Sequence, residues 1–509
     1  MKSHRQRRPS TQAKKAVALF AALPVGAALM IEAPVPGATR ALIALVWVLS
    51  LLPLYNYFAT PPGKRRPLPF FPAISAVYGL YYALPLTLGA VDKYYRAPID
   101  PATDYEPAVQ LVFFGWIAMM AGYLLIAAVV KEKPATAAVA WNPGYMAAWG
   151  FILLATGIFV TLAKASLGFS LISQGTYQFV VSLQWLGAGL LTILFRRGEL
   201  SSPLKVAAIA TMTVSAGLML ASGSVAPVVM FFVIIGFGLW IGKPVIQMRW
   251  LILATTVFLA ATSFRGVAID FRKTAWFGAQ DLTPRDRAAL MVQLLKVRAE
   301  NDGLASTLIH GIEVTAGRSA NLDLFANVVR RTPSEVPYWN GATYLSLVGS
   351  FVPRFMWPDK PPKELGQAFG HRYSFLYWTN TSTSINLPIL IEFFVNFATL
   401  GVVLGMLIVG VIYRVLDSAV NRAGQTPLLS MIGGVLLLPL LLIESDFSLV
   451  FGGIPLNAGA LWFVWMVLSR DSRRFAGSAA FRQAGTPVGA APAVQIAGSG
   501  RREPQLLNR

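Results

Sequence analysis

The 509-residue chain contains no cysteine. That excludes disulfides, zinc–thiolate centres and iron–sulfur clusters, and it leaves the redox compartment unmarked. Charge is scarce: 13% of residues are Asp, Glu, Lys or Arg, against about 25% in a soluble globular domain. Histidine is scarcer, with three in the whole chain. No Gly-rich loop ending in Gly-Lys-Ser/Thr is present, so nothing here cradles ATP phosphates in that way. No Asp-x-Asp pair falls in the segments assigned below to the outer face, which argues against a metal-dependent reaction. Acidic residues are outnumbered 23 to 43 by Lys and Arg, a formal net charge of +20. The acids are few enough that each one inside an apolar run stands out.

What is present is apolar. Hydrophobic residues make up 55% of the chain, and mean hydropathy is +0.57. Long apolar runs recur from residue 16 to residue 469, many near the ~20 residues that cross a bilayer as a helix. Alternating ten-residue strands of the barrel kind are not the pattern. The expected fold is an all-α polytopic membrane protein of about 12 transmembrane helices. The windows are 16–33, 39–58, 70–90, 107–130, 144–164, 177–195, 204–222, 225–241, 250–264, 387–413, 427–444 and 455–469. The organisation expected is a basic N-terminal tail (1–15), a bundle of about nine spans (16–264), one large loop (265–386), about three more spans (387–469) and a basic tail rich in Ala, Gly and Pro (470–509) that is expected to be disordered.

The location of the positive charge orients these spans. With the N-terminus inside, the cytoplasmic pieces are "KSHRQRRPSTQAKK", "GKRRP", "KEK", "RRGELSSPLK", "GKPVIQMR", "YRVLDSAVNR" and the tail from Ser469. Together they hold 25 of the 43 Lys/Arg and 5 of the 23 Asp/Glu. The short outer pieces "VDKYYRAPIDPATDYE" and "ESD" lean acidic. This positive-inside pattern places both termini in the cytoplasm, and basic flanks of this kind favour anionic membrane lipid over nucleic acid. The first window has a basic leader, which also fits a cleaved signal peptide; the following residues are outside in either case.

The segment from 265 to 386 breaks the rhythm. It carries 14 Lys/Arg and 10 Asp/Glu and falls on the outer face. A structureless loop of such length is uncommon, so a folded insert is expected. "LTPRDRAALMVQLLKVRAEN" reads as a helix, with Thr283 as cap, Pro284 in the first turn and a stripe of Leu290, Met291, Leu294 and Leu295. "RSANLDLFANVVRR" reads as a second.

Within and after this insert come "YWNGATYLSLVGSFVPRFMWPDKP" and "NLPILIEFFVNFATLGVVLGMLIVGVIYRVLD". Together they resemble the O-antigen and exopolysaccharide repeat-unit polymerases of Wzy type. The matching positions are Gly341, Thr343 and Tyr344; Pro353, Arg354, Trp357, Pro358, Lys360 and Pro361; and Glu392, Asn396, Phe397 and Gly401. The resemblance covers residues 315–415. It departs at Ile391 and Ala398, where relatives often carry glycine, and at Val225, where they often carry Arg. It implies a glycosyltransferase on the periplasmic face of a bacterial inner membrane. Such an enzyme polymerises oligosaccharide repeat units carried on undecaprenyl diphosphate, without a cofactor or nucleic acid, alongside a chain-length regulator.

That reaction breaks a glycosyl–diphosphate bond and joins the anomeric carbon to a sugar hydroxyl. Cations must hold the leaving diphosphate, and a base must accept the hydroxyl proton. The prolines of "SFVPRFMWPDKPP" hold Arg354 and Lys360 on a stiff backbone. These two cations serve either the diphosphate or lipid phosphate, and Trp357 serves either as a sugar platform or as an interface anchor. Arg265, Arg272, Arg318 and Arg372 are further candidate cations; snorkelling is the plain explanation for Arg265. Glu392 is the sharpest acid. It sits in the first turns of an apolar run with Asn396 one turn on, and intramembrane carboxylates mark function by default. It reads as a base or as half of a structural pair. His371 is the alternative base, or an ordinary loop histidine. Glu444 and Asp446 end another span on the same face.

Two rivals stand. An O-antigen ligase moves the same donor onto a lipid core and has a similar layout. A flippase would show charges inside many spans and two pseudo-symmetric halves. Here the spans are mostly uncharged, and about nine precede the insert while about three follow it.

Overall fold

A computed structural model describes residues 24–31, 35–61, 64–87, 99–130, 141–167, 174–221, 225–244, 321–347, 365–381 and 383–484, with isolated positions at 22, 271, between 286 and 306, and at 357. The described residues are mostly helical and include no strand. The helices are α1 (Gly37–Ala59), α2 (Phe70–Tyr82), α3 (Tyr105–Val129), α4 (Pro143–Leu167), α5 (Gln174–Arg197), α6 (Ser202–Ala221), α7 (Val225–Gly242), α8 (Asn321–Arg331), α9 (Leu365–Arg372), α10 (Ile389–Val420), α11 (Pro427–Leu437) and α12 (Ile454–Ala484). A short helix, Phe447–Phe451, precedes α12.

Among the described residues seven stretches are long and apolar enough to cross a membrane by length and composition: Gly37–Ala59, Tyr105–Val129, Pro143–Lys164, Phe179–Arg197, Ser202–Leu220, Ile389–Val420 and Phe447–Ser469. Ala226–Gly242 and Pro427–Leu441 are shorter apolar helices. The chain is an all-α membrane protein. Its exposed surfaces agree: Leu400, Leu404 and Ile408 form an outward stripe on α10, while Val402, Met406 and Val409 on the other side are buried. Such a greasy outer face suits lipid.

Two cores organise the bundle. The first joins α1, α2, α3, α8 and α10; the second joins α4, α5, α7, α11 and α12. The most extensive pairing is α3 with α10. Glycine allows it: a Cβ on Gly122 would collide with the Leu407 carbonyl, and one on Gly410 with the Met119 carbonyl. Small residues at a crossing let helix backbones approach.

The windows and the helices differ in two instructive places. Window 70–90 holds α2, which ends at Tyr82, and then the single turn Leu84–Thr87. Pro85 explains the interruption, because it cannot donate into the helical ladder. At the other extreme, α10 runs to Val420, past the expected end at 413. Window 250–264 and half of 16–33 lie outside the described residues.

Helix α10, at 32 residues, is about 48 Å long at 1.5 Å per residue, so it separates two ends of the molecule. Around its C-terminus gather the Arg65–Arg66 turn, Arg197, Pro244 and Gln425, which line one cavity. Four of the basic pieces thus meet at one end. Around its N-terminus gather α8, residues 335–346, α9 and the Glu444–Phe447 turn.

Candidate functional site

The N-terminal part of α10 is broken. Phe397 (φ −141°, ψ 23°) and Ala398 (φ 54°, ψ −149°) leave the helical region, and the helix resumes beyond them. A break frees backbone groups that must find other partners. The Val395 carbonyl accepts from the Trp339 N–H at 2.8 Å. Asn396 does the rest: its Oδ1 accepts from the Gly341 N–H at 2.7 Å, and its Nδ2 donates to Thr343 Oγ1 and to the Glu392 carbonyl, both at 2.8 Å. Gly341 sits at φ +88°, a conformation that favours glycine, with the Phe397 ring 3.3 Å from where a Cβ would lie. The turn Trp339–Tyr344 is therefore fastened onto the break, and one asparagine carries most of the fastening.

One turn before Asn396 lies Glu392, with no exposed surface. Its Oε2 accepts from the Phe447 N–H at 2.6 Å. Oε1 is also buried and takes no hydrogen bond of regular geometry; the Thr343 hydroxyl is the side-chain neighbour of the carboxyl. Asp446 stands close enough for its charge to oppose that of Glu392. It caps the short helix by accepting from the Leu449 N–H at 3.0 Å. Among the described residues no cation lies within ion-pair distance of Glu392. A carboxylate taken out of water without a partner is costly. The positive end of α10 offsets part of that cost, because Glu392 lies in its first turn.

Aromatic rings close the site. Tyr344 stacks on Phe397 (6.2 Å between centroids, 7° between planes) and on Phe393 (6.3 Å, 29°). Phe447 meets it edge-on at 6.1 Å. The Tyr344 hydroxyl is buried without a hydrogen-bond partner among the described residues. Burial, and then the nearby Glu392 charge, push its ionisation well above the ordinary phenol range. Tyr344 is thus a neutral ring and a neutral hydroxyl beside the carboxyl.

The other sequence-predicted residues are placed as follows. His371 lies in the last turn of α9, and its Nε2 lies 2.9 Å from the Asn380 carbonyl; no hydrogen bond or ion pair joins it to Glu392. Arg372 donates to the Pro337 carbonyl at 2.7 Å and covers the Trp339 ring at 4.6 Å. It thereby braces the turn that Asn396 holds. Trp357 is 40% exposed. Arg354, Lys360, Arg318, Arg265 and Arg272 lie outside the described residues. Of the predicted set, then, Glu392 and Asn396 share one site, and Arg372 touches its supporting turn.

Three contributors escaped the reading of the sequence as site residues. Thr343 and Tyr344 were visible only as members of a short motif. The Phe447 N–H carries no sequence signal, because any residue but proline supplies one. The support behind the site is built by α8, whose Asp323 accepts from Tyr105 at 2.8 Å. Arg331 of α8 donates to the Tyr373 carbonyl and to Glu335 at 2.6 Å. The Tyr373 hydroxyl pairs with Thr332 at 2.6 Å, and burial pushes that phenol up as well.

The arrangement offers a buried carboxyl, a hydroxyl and an amide under a roof of rings. It can accept a proton from a hydroxyl brought to it. Among the described residues no group of three or more His, Asp or Glu side chains is placed to hold a metal ion.

Comparison with curated proteins and with solved structures returns no match. The family described as Domain of unknown function (DUF8712) matches residues 104–431, from the start of α3 into α11. That span takes in Trp339–Tyr344, Glu392 and Asn396 but stops short of Phe447. Because it covers more than half of the chain, the protein belongs to the DUF8712 family.

Proposed function

We propose that this protein is a membrane glycosyltransferase that polymerises oligosaccharide repeat units carried on undecaprenyl diphosphate. The reaction takes place on the periplasmic face of a bacterial inner membrane and yields O-antigen or exopolysaccharide. About 12 spans cross the bilayer, the insert 265–386 is periplasmic, and both termini are cytoplasmic, in keeping with the positive-inside distribution.

One observation supports this reading most. The Gly341–Thr343–Tyr344 element and the Glu392–Asn396–Phe397 element are about 50 residues apart, and both belong to the resemblance to Wzy-type polymerases. They come together through Asn396 and the stacked rings of Tyr344 and Phe397. Their meeting point holds a carboxylate without a described cation. A carboxylate free of a salt bridge suits the base that takes the acceptor hydroxyl proton. Arg354, eight residues beyond Ser346, supplies the positive charge that stabilises the leaving diphosphate in this reading, with Lys360, Arg318, Arg265, Arg272 and Arg372 as further cations and Trp357 as a sugar platform. His371 is the second candidate base.

The test is a strain lacking the gene, with gel and mass analysis of surface glycan and lipid-linked intermediates. Single repeat units without long chains support the polymerase. Long chains stranded on the carrier turn the assignment to a ligase, and units trapped on the cytoplasmic face turn it to a flippase. Returning Glu392→Gln or Arg354→Ala on a plasmid should leave polymer reduced at least about 100-fold at normal protein level. Normal chain length with Glu392→Gln would remove Glu392 as the base.

A further inference from the structure

The end of the bundle opposite Glu392 holds a cavity of about 240 Å³, against the roughly 10–15 Å³ that one water requires. Three arginines line it: Arg65 and Arg66 from the turn after α1, and Arg197 from the end of α5. Trp240 of α7 and the first residues of α11, Pro427 and Ser430, complete the wall. Among the described residues no acidic one lines it. The nearest carboxylates are already engaged. Asp417 pairs with Arg66 at 2.6 Å, and Glu199 accepts from Trp141 at 2.6 Å while standing 3.9 Å from Arg197.

Arg65 is the informative member. It makes no ion pair among the described residues. Its Nε and Nη2 donate to the Thr60 carbonyl at 3.3 and 2.9 Å, and Nη2 donates to the Phe58 carbonyl at 3.1 Å. The guanidinium packs over Tyr57, Phe58 and Trp240 at 5.2, 5.7 and 6.0 Å. Carbonyls and rings fix the group without neutralising it. An arginine positioned this way keeps its full charge, and with Nε and Nη2 engaged it has Nη1 left to donate; a charged N–H of this kind suits a phosphate oxygen. Helix α11 adds its positive end at Pro427, where Thr426 already caps the Leu429 N–H. The rings of Tyr57 and Trp240 belong to helix ends, where aromatic belts meet headgroups.

We propose that this cavity binds the phosphate group of an anionic ligand. A lipid phosphodiester headgroup and a soluble phosphate offer the same chemistry, and basic pockets between spans at such a boundary commonly hold headgroups. The site is separate from the Glu392 site and does not depend on the glycosyltransferase reading.

The experiment uses the full-length protein in a neutral detergent and follows its thermal midpoint against added ligand. Three probes are compared: short-chain phosphatidylglycerol, short-chain phosphatidylcholine and inorganic phosphate. Phosphatidylglycerol should raise the midpoint in a saturable way that phosphatidylcholine does not reproduce. Arg65→Gln and Arg197→Gln should each require about tenfold more phosphatidylglycerol, about 1.4 kcal/mol, while Lys64→Gln, outside the lining, should behave as wild type. A comparable shift with inorganic phosphate, lost in the same variants, supports the site and names a soluble ligand as its source. An equal shift with phosphatidylcholine, no shift with either anion, or an unchanged dose response in Arg197→Gln overturns the proposal. The comparison of lipids in the wild type stands even where Arg65→Gln fails to fold.

Discussion

Helix α10 buries one carboxylate near each end, and the two are treated differently. Asp417 accepts from Arg66 at 2.6 Å, from the Tyr123 hydroxyl at 2.5 Å and from Asn421 Nδ2 at 2.7 Å. Asn421 in turn exchanges two hydrogen bonds with the Leu68 backbone, at 2.9 and 2.8 Å. Cation, phenol and amide together answer the charge, and the network ties α10 to α3 and to the turn between α1 and α2. Glu392 is no less buried but receives a single backbone N–H within regular geometry. Burial costs both carboxylates dearly. Among the described residues only Asp417 recovers that cost in local structure, so they account for Asp417 and not for Glu392. A buried acid that the fold does not explain is the one to assign to chemistry.

The comparison breaks most easily at Asp417. Asp417→Ala leaves Arg66 without its counter-charge and strips Tyr123 and Asn421 of their shared acceptor. Removing one partner of a buried pair costs about 3–5 kcal/mol. The thermal midpoint in detergent should fall steeply, with loss of folded yield. A midpoint within a degree of wild type would mean that the network contributes nothing and the contrast with Glu392 is empty.

Asn396→Ala comes next. It removes the acceptor of the half-buried Gly341 N–H and the donor to the buried Thr343 hydroxyl. About 1–3 kcal/mol is the expected cost of such orphaned groups. Proteolysis should separate this variant from Asp417→Ala. Asn396→Ala should open the Trp339–Tyr344 turn to cleavage while the opposite end stays protected. Equal protection of that turn in wild type and variant would show that the ring stack alone holds it.

How much of this was legible beforehand depends on the kind of signal. Apolar runs announce spans, so the windows from 39 to 58 and from 107 to 241 fall on helices. Polar residues inside such runs also announce themselves, which is why Glu392 and Asn396 stood out. Asp417 did not, although it is as buried as they are. It lies in "YRVLDSAVNR", where falling hydropathy reads as a cytoplasmic flank. The helix nevertheless continues, because Arg414 and Asp417 turn inward to Tyr123 and Arg66. Hydropathy measures what a residue prefers alone, and a paired residue is no longer alone. The break at Phe397–Ala398 was hidden for another reason. Ala398 is a good helix former, and its left-handed conformation is imposed by the turn bound across it.

That conformation gives a smaller test. With φ at +54° and ψ at −149°, Ala398 occupies a region almost reserved for glycine, at a strain of about 1–3 kcal/mol. Glycine adopts it freely but loses more entropy on folding. Ala398→Gly should therefore raise the thermal midpoint by the equivalent of about 1 kcal/mol. A lowered midpoint would mean that the helix runs straight through this position, and Asn396 would then have no break to fasten.

The smallest expected effect is the most discriminating. Glu392→Gln keeps an acceptor for the Phe447 N–H and supplies an NH₂ that can donate to the Thr343 hydroxyl. It also removes a charge for which no described cation compensates. Its effect on stability should stay below about 1 kcal/mol, since exchanging a hydrogen-bonded polar group for a near-isostere leaves few groups unpaired. On the proposed polymerase reading, the same substitution should reduce polymer in the cell at least about 100-fold. A loss of about 3–5 kcal/mol would instead reveal a hidden counter-charge, and Arg354 would be the first residue to examine. Glu392 would then be half of a structural pair, like Asp417, and the two ends of α10 would be alike after all.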